Sequence, residues 1–169
     1  MKTTTLNELL KHGPCASGWV KLTGQSSDES TWVGDDEPLG FDEILKSNGL
    51  DDALWACRVL EGEDLKLFKL FICDIAERAL VHVQEGGSRR KLLIDTARRY
   101  LNGECSEEEL YVATIAADTF SVVNASYIAA NYVYAAVYAS GAASAANGAA
   151  AGNAERKAQE EMFINFIGE

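Results

Sequence analysis

The sequence has few of the residues that interrupt helices or that build catalytic and metal sites. It holds only two prolines, Pro14 and Pro38, so every backbone N–H after residue 38 can serve a helix. It also holds only two histidines, His12 and His82, and its four cysteines form no C-x-x-C pair. Zinc-ligand spacing and a histidine-assisted nucleophile are therefore both missing from the sequence. We expect an all-α protein that is not an enzyme and that uses no metal and no cofactor.

Long apolar runs are also lacking. A membrane-spanning helix needs about 18 consecutive apolar residues, and polar residues such as Asn124, Asn131 and Ser140 interrupt the one stretch that approaches this length. Asn7 and Glu8 lie where a secretion signal would be apolar. We expect a cytoplasmic protein with no membrane partner, whose cysteines are separate core thiols rather than a disulfide framework.

Positive charge is scarce relative to negative charge. The chain has 26 acidic and 15 basic residues, which gives a formal net charge of -11. Residues 1–64 hold 13 acidic and 5 basic residues, whereas residues 65–110 hold 8 of each. This distribution disfavours direct binding of nucleic acid and favours a protein partner with a basic surface.

Charge of either sign is almost absent from one long tract. Between Ala113 and Ala154 the only charged residue is Asp118, and alanine dominates. Alanine favours helix, but a helix without a charged face has to be buried. We predict a long Ala- and Tyr-rich helix or helical hairpin over residues 107–154, followed by a C-terminal helix over residues 155–167. The tract packs either in the core of the monomer or in a homodimer interface.

The remaining segments follow helical patterns separated by one long polar stretch. Apolar residues at spacings of three and four predict helix over residues 65–83 and 89–101, and capping boxes over residues 5–8 and 106–109 mark two helix starts. Residues 23–40 are polar and rich in turn-forming residues, which predicts an exposed acidic loop. A length of 169 residues suits one core. We therefore predict a compact, single-domain helical bundle of about six or seven helices over residues 1–169.

Several segments resemble a known protein family in their order along the chain. They are Cys15-Ala16-Ser17-Gly18-Trp19, Cys73 to Leu80, Tyr100 to Glu104 and Ser106 to Leu110, followed by the alanine-rich tract. Together they are similar to the small α-helical immunity proteins of polymorphic-toxin type from bacteria and their phages. The resemblance implies a helical fold and a role in neutralising a protein partner, and it transfers no catalytic residue. The chain departs from the family pattern in an insertion over residues 25–40.

The acidic loop is the first candidate for the contact surface. Carboxylates next to exposed aromatic side chains match a basic protein surface, because charge guides the encounter and a Trp in a pocket supplies affinity. The candidate contact residues are Trp32, Asp35, Asp36, Glu37, Phe41 and Asp42. The other interpretation is a solvated loop that keeps an acidic protein soluble.

A second hypothesis places a nucleotide-type ligand in a groove lined by arginines and tyrosines. Gly86 and Gly87 precede a helix whose first amides, together with neighbouring guanidinium groups, can bind phosphate. The candidate residues are Arg89, Arg90, Arg98, Arg99, Tyr127, Tyr134 and Tyr138. Alternatively, the arginines pair with nearby acids and the tyrosines pack in the core. A third hypothesis is a DNA-mimicking inhibitor, which needs carboxylates spaced like phosphates on one surface.

Overall fold

The computed structural model describes residues 1–80, 87–116 and 148–168, and most of these residues are helical. The α-helices of this described part are α1 Leu6–Lys11, α2 Ala16–Thr23, α3 Phe41–Asn48, α4 Leu50–Ala56, α5 Gly62–Leu80, α6 Gly87–Leu101, α7 Glu107–Ala116 and α8 Ala149–Gly168. The all-α prediction is confirmed. The described residues alone hold eight helices, which is more than the six or seven predicted. None of these helices is long and apolar enough to cross a membrane.

A small antiparallel sheet joins the start of the chain to the end of the acidic loop. Strand β1, Thr3–Thr4, pairs with β2, Leu39–Gly40, so that Thr3 lies opposite Gly40. The sequence predicts no strand, because a strand of two residues is too short to show an alternating pattern. The acidic loop therefore begins where α2 ends, at Thr23, and ends in this strand pairing, at Gly40.

The chain divides into two compact units. The first comprises Met1–Glu61 and Glu160–Glu169, and the second comprises Gly62–Gln159. Whether the two units form a single domain depends on how they are arranged, so the prediction of a single domain stays a prediction. In the first unit, Trp19 of α2, Phe41 of α3, Leu54 of α4 and Phe163 of α8 each have 1% or less of their surface exposed. The backbone N–H of Lys2 donates to the carbonyl of Ile167 in the same unit.

Helices α5, α6 and α7 of the second unit share an apolar cluster. It consists of Cys73 from α5, Ile94 and Ala97 from α6, and Leu110 from α7. Partly buried apolar side chains of the same helices, Ala76, Leu80, Leu93 and Leu101, pack against it. Of these positions, the spacing of three and four predicts Ala76, Leu93 and Ala97 for the buried face.

Two helices, α1 and α7, begin directly after the residues that cap them. At α7, the amide of Glu109 donates to the Ser106 hydroxyl and the Glu109 carboxylate accepts from the Ser106 amide, so the predicted capping box is confirmed. At α1, the Thr5 hydroxyl accepts from the Glu8 amide. Helix α8 begins at Ala149, six residues before the predicted start at residue 155.

The early start of α8 is explained by where the backbone turns. Gly148 has a φ of 86°, a left-handed value that ends regular helix, and α8 follows immediately. Gly152 lies inside the helix and is buried. Its cost of about 1 kcal/mol relative to alanine is small enough for tertiary packing to outweigh. The long helix or hairpin predicted over residues 107–154 falls largely on residues 117–147, which lie outside the described residues.

Candidate protein-binding surface

The acidic loop, residues 23–40, lies wholly within the described residues. Asp35, Asp36 and Glu37 are exposed, as predicted, and Trp32 is partly buried. Phe41 has 0% of its surface exposed, so the prediction that it stands beside the acids as an exposed aromatic residue is wrong. Phe41 is the first residue of α3, and its side chain belongs to the core of the first unit.

Asp42 also differs from the expected picture of a free surface carboxylate. It is partly buried and forms an ion pair with Lys46 one turn along α3, with 2.7 Å between Oδ2 and Nζ. The hydrogen bond from Lys46 lowers the pKa of Asp42 below its usual value. Part of its charge is therefore already balanced within the helix.

Trp32 fastens the loop to α2. Its ring stacks on the ring of Trp19, with centroids 5.3 Å apart and planes inclined by 26°. Its indole N–H donates to the carbonyl of Ser26 at 2.8 Å, so the polar edge of the ring is satisfied inside the loop. Offset aromatic pairs of this kind add about 0.5–1.5 kcal/mol beyond the area that they bury. Trp32 thus stabilises the loop from within.

Val33 is held by the side chain of Gln25. The Gln25 amide accepts from the Val33 N–H at 2.9 Å and donates to the Val33 carbonyl at 2.7 Å. The indole N–H of Trp19 donates to the same Gln25 oxygen at 3.2 Å and fixes its orientation. Both backbone groups of Val33 are bonded inward, while its side chain is 69% exposed.

Asn7 of α1 holds the next part of the loop. Its backbone N–H donates to the carbonyl of Asp35 at 3.0 Å, and its side-chain amide donates to the Asp36 carboxylate at 2.8 Å. Gly34 approaches so closely that a Cβ there would lie 2.9 Å from the Asn7 backbone nitrogen. Only a residue without a side chain fits this approach unless the loop shifts.

Negative charge on the loop is not balanced locally. Residues 24–40 contain five acids and no Lys or Arg, and none of the five forms an ion pair with a described residue. Asp28 begins a 3-10 turn over Glu29–Thr31, and its carboxylate accepts from the hydroxyl and the amide of Ser30. The hydroxyl hydrogen bond, followed by the amide one, lowers the pKa of Asp28. The loop therefore presents five carboxylates on a defined backbone.

The Gln25 side chain connects Val33 to Trp19. Gln25→Leu removes two hydrogen bonds to Val33 and one to Trp19, each contributing about 0.5–1.5 kcal/mol. We expect amide hydrogen exchange at Val33 to become at least tenfold faster. Ser27→Ala, at an exposed position of the same loop, serves as the control and should leave this rate unchanged. Equal exchange rates in wild type and Gln25→Leu would show that the amide does not hold the loop.

The four arginines proposed to bind a nucleotide differ in whether they already form ion pairs. Arg98 of α6 donates to Asp74 at 2.6 Å and to Glu77 at 2.7 Å, both on α5. Arg99 lies 3.6 Å from Glu109 of α7. Arg89 and Arg90 form no ion pair with any residue in the described part of the chain. Tyr127, Tyr134 and Tyr138 lie outside the described residues, so the proposed groove stays a prediction.

Glu77 makes the contact between α5 and α6 sensitive to acid. The hydrogen bond from Lys91, followed by the one from Arg98, lowers the pKa of Glu77 below its usual 4.5. A carboxyl group with a lowered folded-state pKa stabilises the fold above its unfolded-state pKa, and the effect is lost as pH falls through the folded value. We expect the Tm of wild type to fall below pH 4.5, and to fall less steeply in Glu77→Gln.

Thermal unfolding between pH 7 and pH 3 measures this difference. Glu104→Gln provides the control, because Glu104 is exposed and its side chain forms no ion pair with a described residue. Its pH profile should follow that of wild type. Coincident profiles for wild type and Glu77→Gln would rule out a contribution from this ion pair.

The four cysteines are free thiols in different surroundings. Cys57 and Cys73 are buried, and burial raises the pKa of Cys73 to about 11 and that of Cys57 well above its usual value. Cys105 is partly buried, while Cys15 is exposed and its sulfur accepts from the Gly18 amide at the start of α2. The prediction of core thiols is therefore wrong for Cys15. Within residues 1–80, 87–116 and 148–168, no group of three or more His, Cys, Asp or Glu side chains is placed to hold a metal ion.

Comparison with known proteins assigns no family to this chain. No protein-family model, no curated protein and no solved structure matches it. The resemblance to immunity proteins consequently stays a hypothesis based on the segments given above.

Proposed function

We propose that this chain is a non-enzymatic binding protein that neutralises another protein, of immunity or phage anti-defence type, through its acidic loop. One observation carries the proposal. Side chains of Trp19, Gln25 and Asn7 contact the loop at Trp32, Val33 and Asp36 respectively. The same loop exposes the Val33 side chain and five carboxylates that form no ion pair with a described residue.

A braced loop is better suited to binding than a mobile one. Ordering a side chain or loop segment on binding costs about 0.5–1.5 kcal/mol for each immobilised group, and a loop ordered beforehand avoids most of this cost. The stack of Trp32 on Trp19 and the Gln25 and Asn7 hydrogen bonds order the loop without a partner. A solvated loop whose only role is solubility does not need such bracing.

The exposed groups define the chemistry of the proposed partner. Val33 fits an apolar pocket, and the surrounding Asp28, Glu29, Asp35, Asp36 and Glu37 fit a basic rim. Complementary charges mainly increase the association rate and select the partner, while a buried apolar contact slows dissociation. The proposed compartment is the cytoplasm, on the sequence grounds given above.

A nucleotide ligand is the weaker alternative. Arg89 and Arg90 form no ion pair with a described residue, but at Arg98 and Arg99 the phosphate would have to displace the carboxylates that already contact these side chains. No contact among the described residues favours that exchange over the existing ion pairs. We therefore propose protein binding alone.

Charge reversal on the loop tests the proposal. The variant Asp35→Lys/Asp36→Lys/Glu37→Lys and wild type are each used to capture proteins from cells of the source organism, and captured proteins are identified by mass spectrometry. The affinity of the captured protein for each variant is then measured by calorimetry. We expect the loop variant to bind at least tenfold more weakly, a difference of about 1.4 kcal/mol, with unchanged helical circular dichroism.

A matched control separates the loop from net charge. Glu61→Lys/Glu104→Lys/Glu108→Lys changes the net charge equally at exposed positions outside the loop. This control should bind within about threefold of wild type, because it leaves every carboxylate of the loop in place. Equal weakening of both variants, or of neither, would reject the loop as the contact surface.

A further inference from the structure

We draw no further inference here: the strongest candidate, the exposed apolar surface formed by Leu92 and Tyr100 of α6 and Tyr111 and Val112 of α7, carries nothing because nothing in the described residues shows what covers it.

Discussion

Phe41→Ala is expected to lower the free energy of unfolding by about 3–5 kcal/mol, the usual cost of removing a fully buried aromatic ring. The ring has 0% of its surface exposed, so its loss leaves a cavity in the core of the first unit. Phe41 is a predicted partner contact on sequence grounds, but in the structure it is a core residue. Urea titration followed by circular dichroism measures the change.

Val33→Ala is the matched comparison for Phe41→Ala. Val33 is 69% exposed, and substitutions at such positions usually change stability by no more than about 0.5 kcal/mol. If the proposed function is right, Val33→Ala weakens partner binding without lowering stability. Phe41→Ala lowers stability, but the molecules that remain folded bind the partner as wild type does. A stability loss below about 1 kcal/mol for Phe41→Ala would contradict its place in the core.

Arg78→Met is expected to cost the second unit about 2 kcal/mol. Arg78 of α5 forms two hydrogen bonds of 2.8 Å to the carboxylate of Glu155 on α8, and only 7% of the Glu155 side chain is exposed. Removing one partner of a buried ion pair costs about 3–5 kcal/mol because a charge remains in a poorly solvated place. The expected loss is smaller here, since the Arg78 side chain is 39% exposed and solvent screens its charge.

Two further variants isolate the ion pair in the same urea titration. Arg89→Met makes the same chemical change at an exposed residue without an ion pair to any described residue, and should change stability by less than about 0.5 kcal/mol. Arg78→Met/Glu155→Gln removes the buried charge and should regain part of the loss. If the double variant is less stable than Arg78→Met, the cost does not come from an unbalanced Glu155 charge.

Local residues were enough to predict several elements. Ser106 and Glu109 satisfy each other's backbone amides whatever the rest of the chain does, and their helix start is confirmed. The spacing of Phe68, Ile72 and Ile75 on α5 likewise predicts a buried face, and each of these side chains has 4% or less of its surface exposed. The acidic residues 35–37 were correctly predicted to be exposed, because adjacent carboxylates are too costly to bury together.

The bracing of the loop could not be predicted in the same way. Trp32 and Val33 are adjacent apolar residues, and the sequence alone does not show which of the two side chains is buried. The structure decides this because Trp19 on α2 supplies a ring for Trp32 to stack on, and Gln25 supplies an amide that bonds both backbone groups of Val33. Asn7, which holds Asp35 and Asp36, lies 29 residues from the carboxylate that it contacts. Gly34 is a sequence signal of a close backbone approach in this loop. Only the structure shows that the segment approached contains Asn7.

The sequence by itself determined that this is a helical, strongly acidic chain with an exposed acidic loop, because helix propensity, capping and charge act over a few residues. Only the tertiary structure decided that Phe41 belongs to the core, that Trp32 fastens the loop and that Val33 is displayed at its surface. Those outcomes depend on residues far apart in sequence that meet only after the helices pack. The proposed binding surface is therefore a product of packing, while its charge is a property of the sequence.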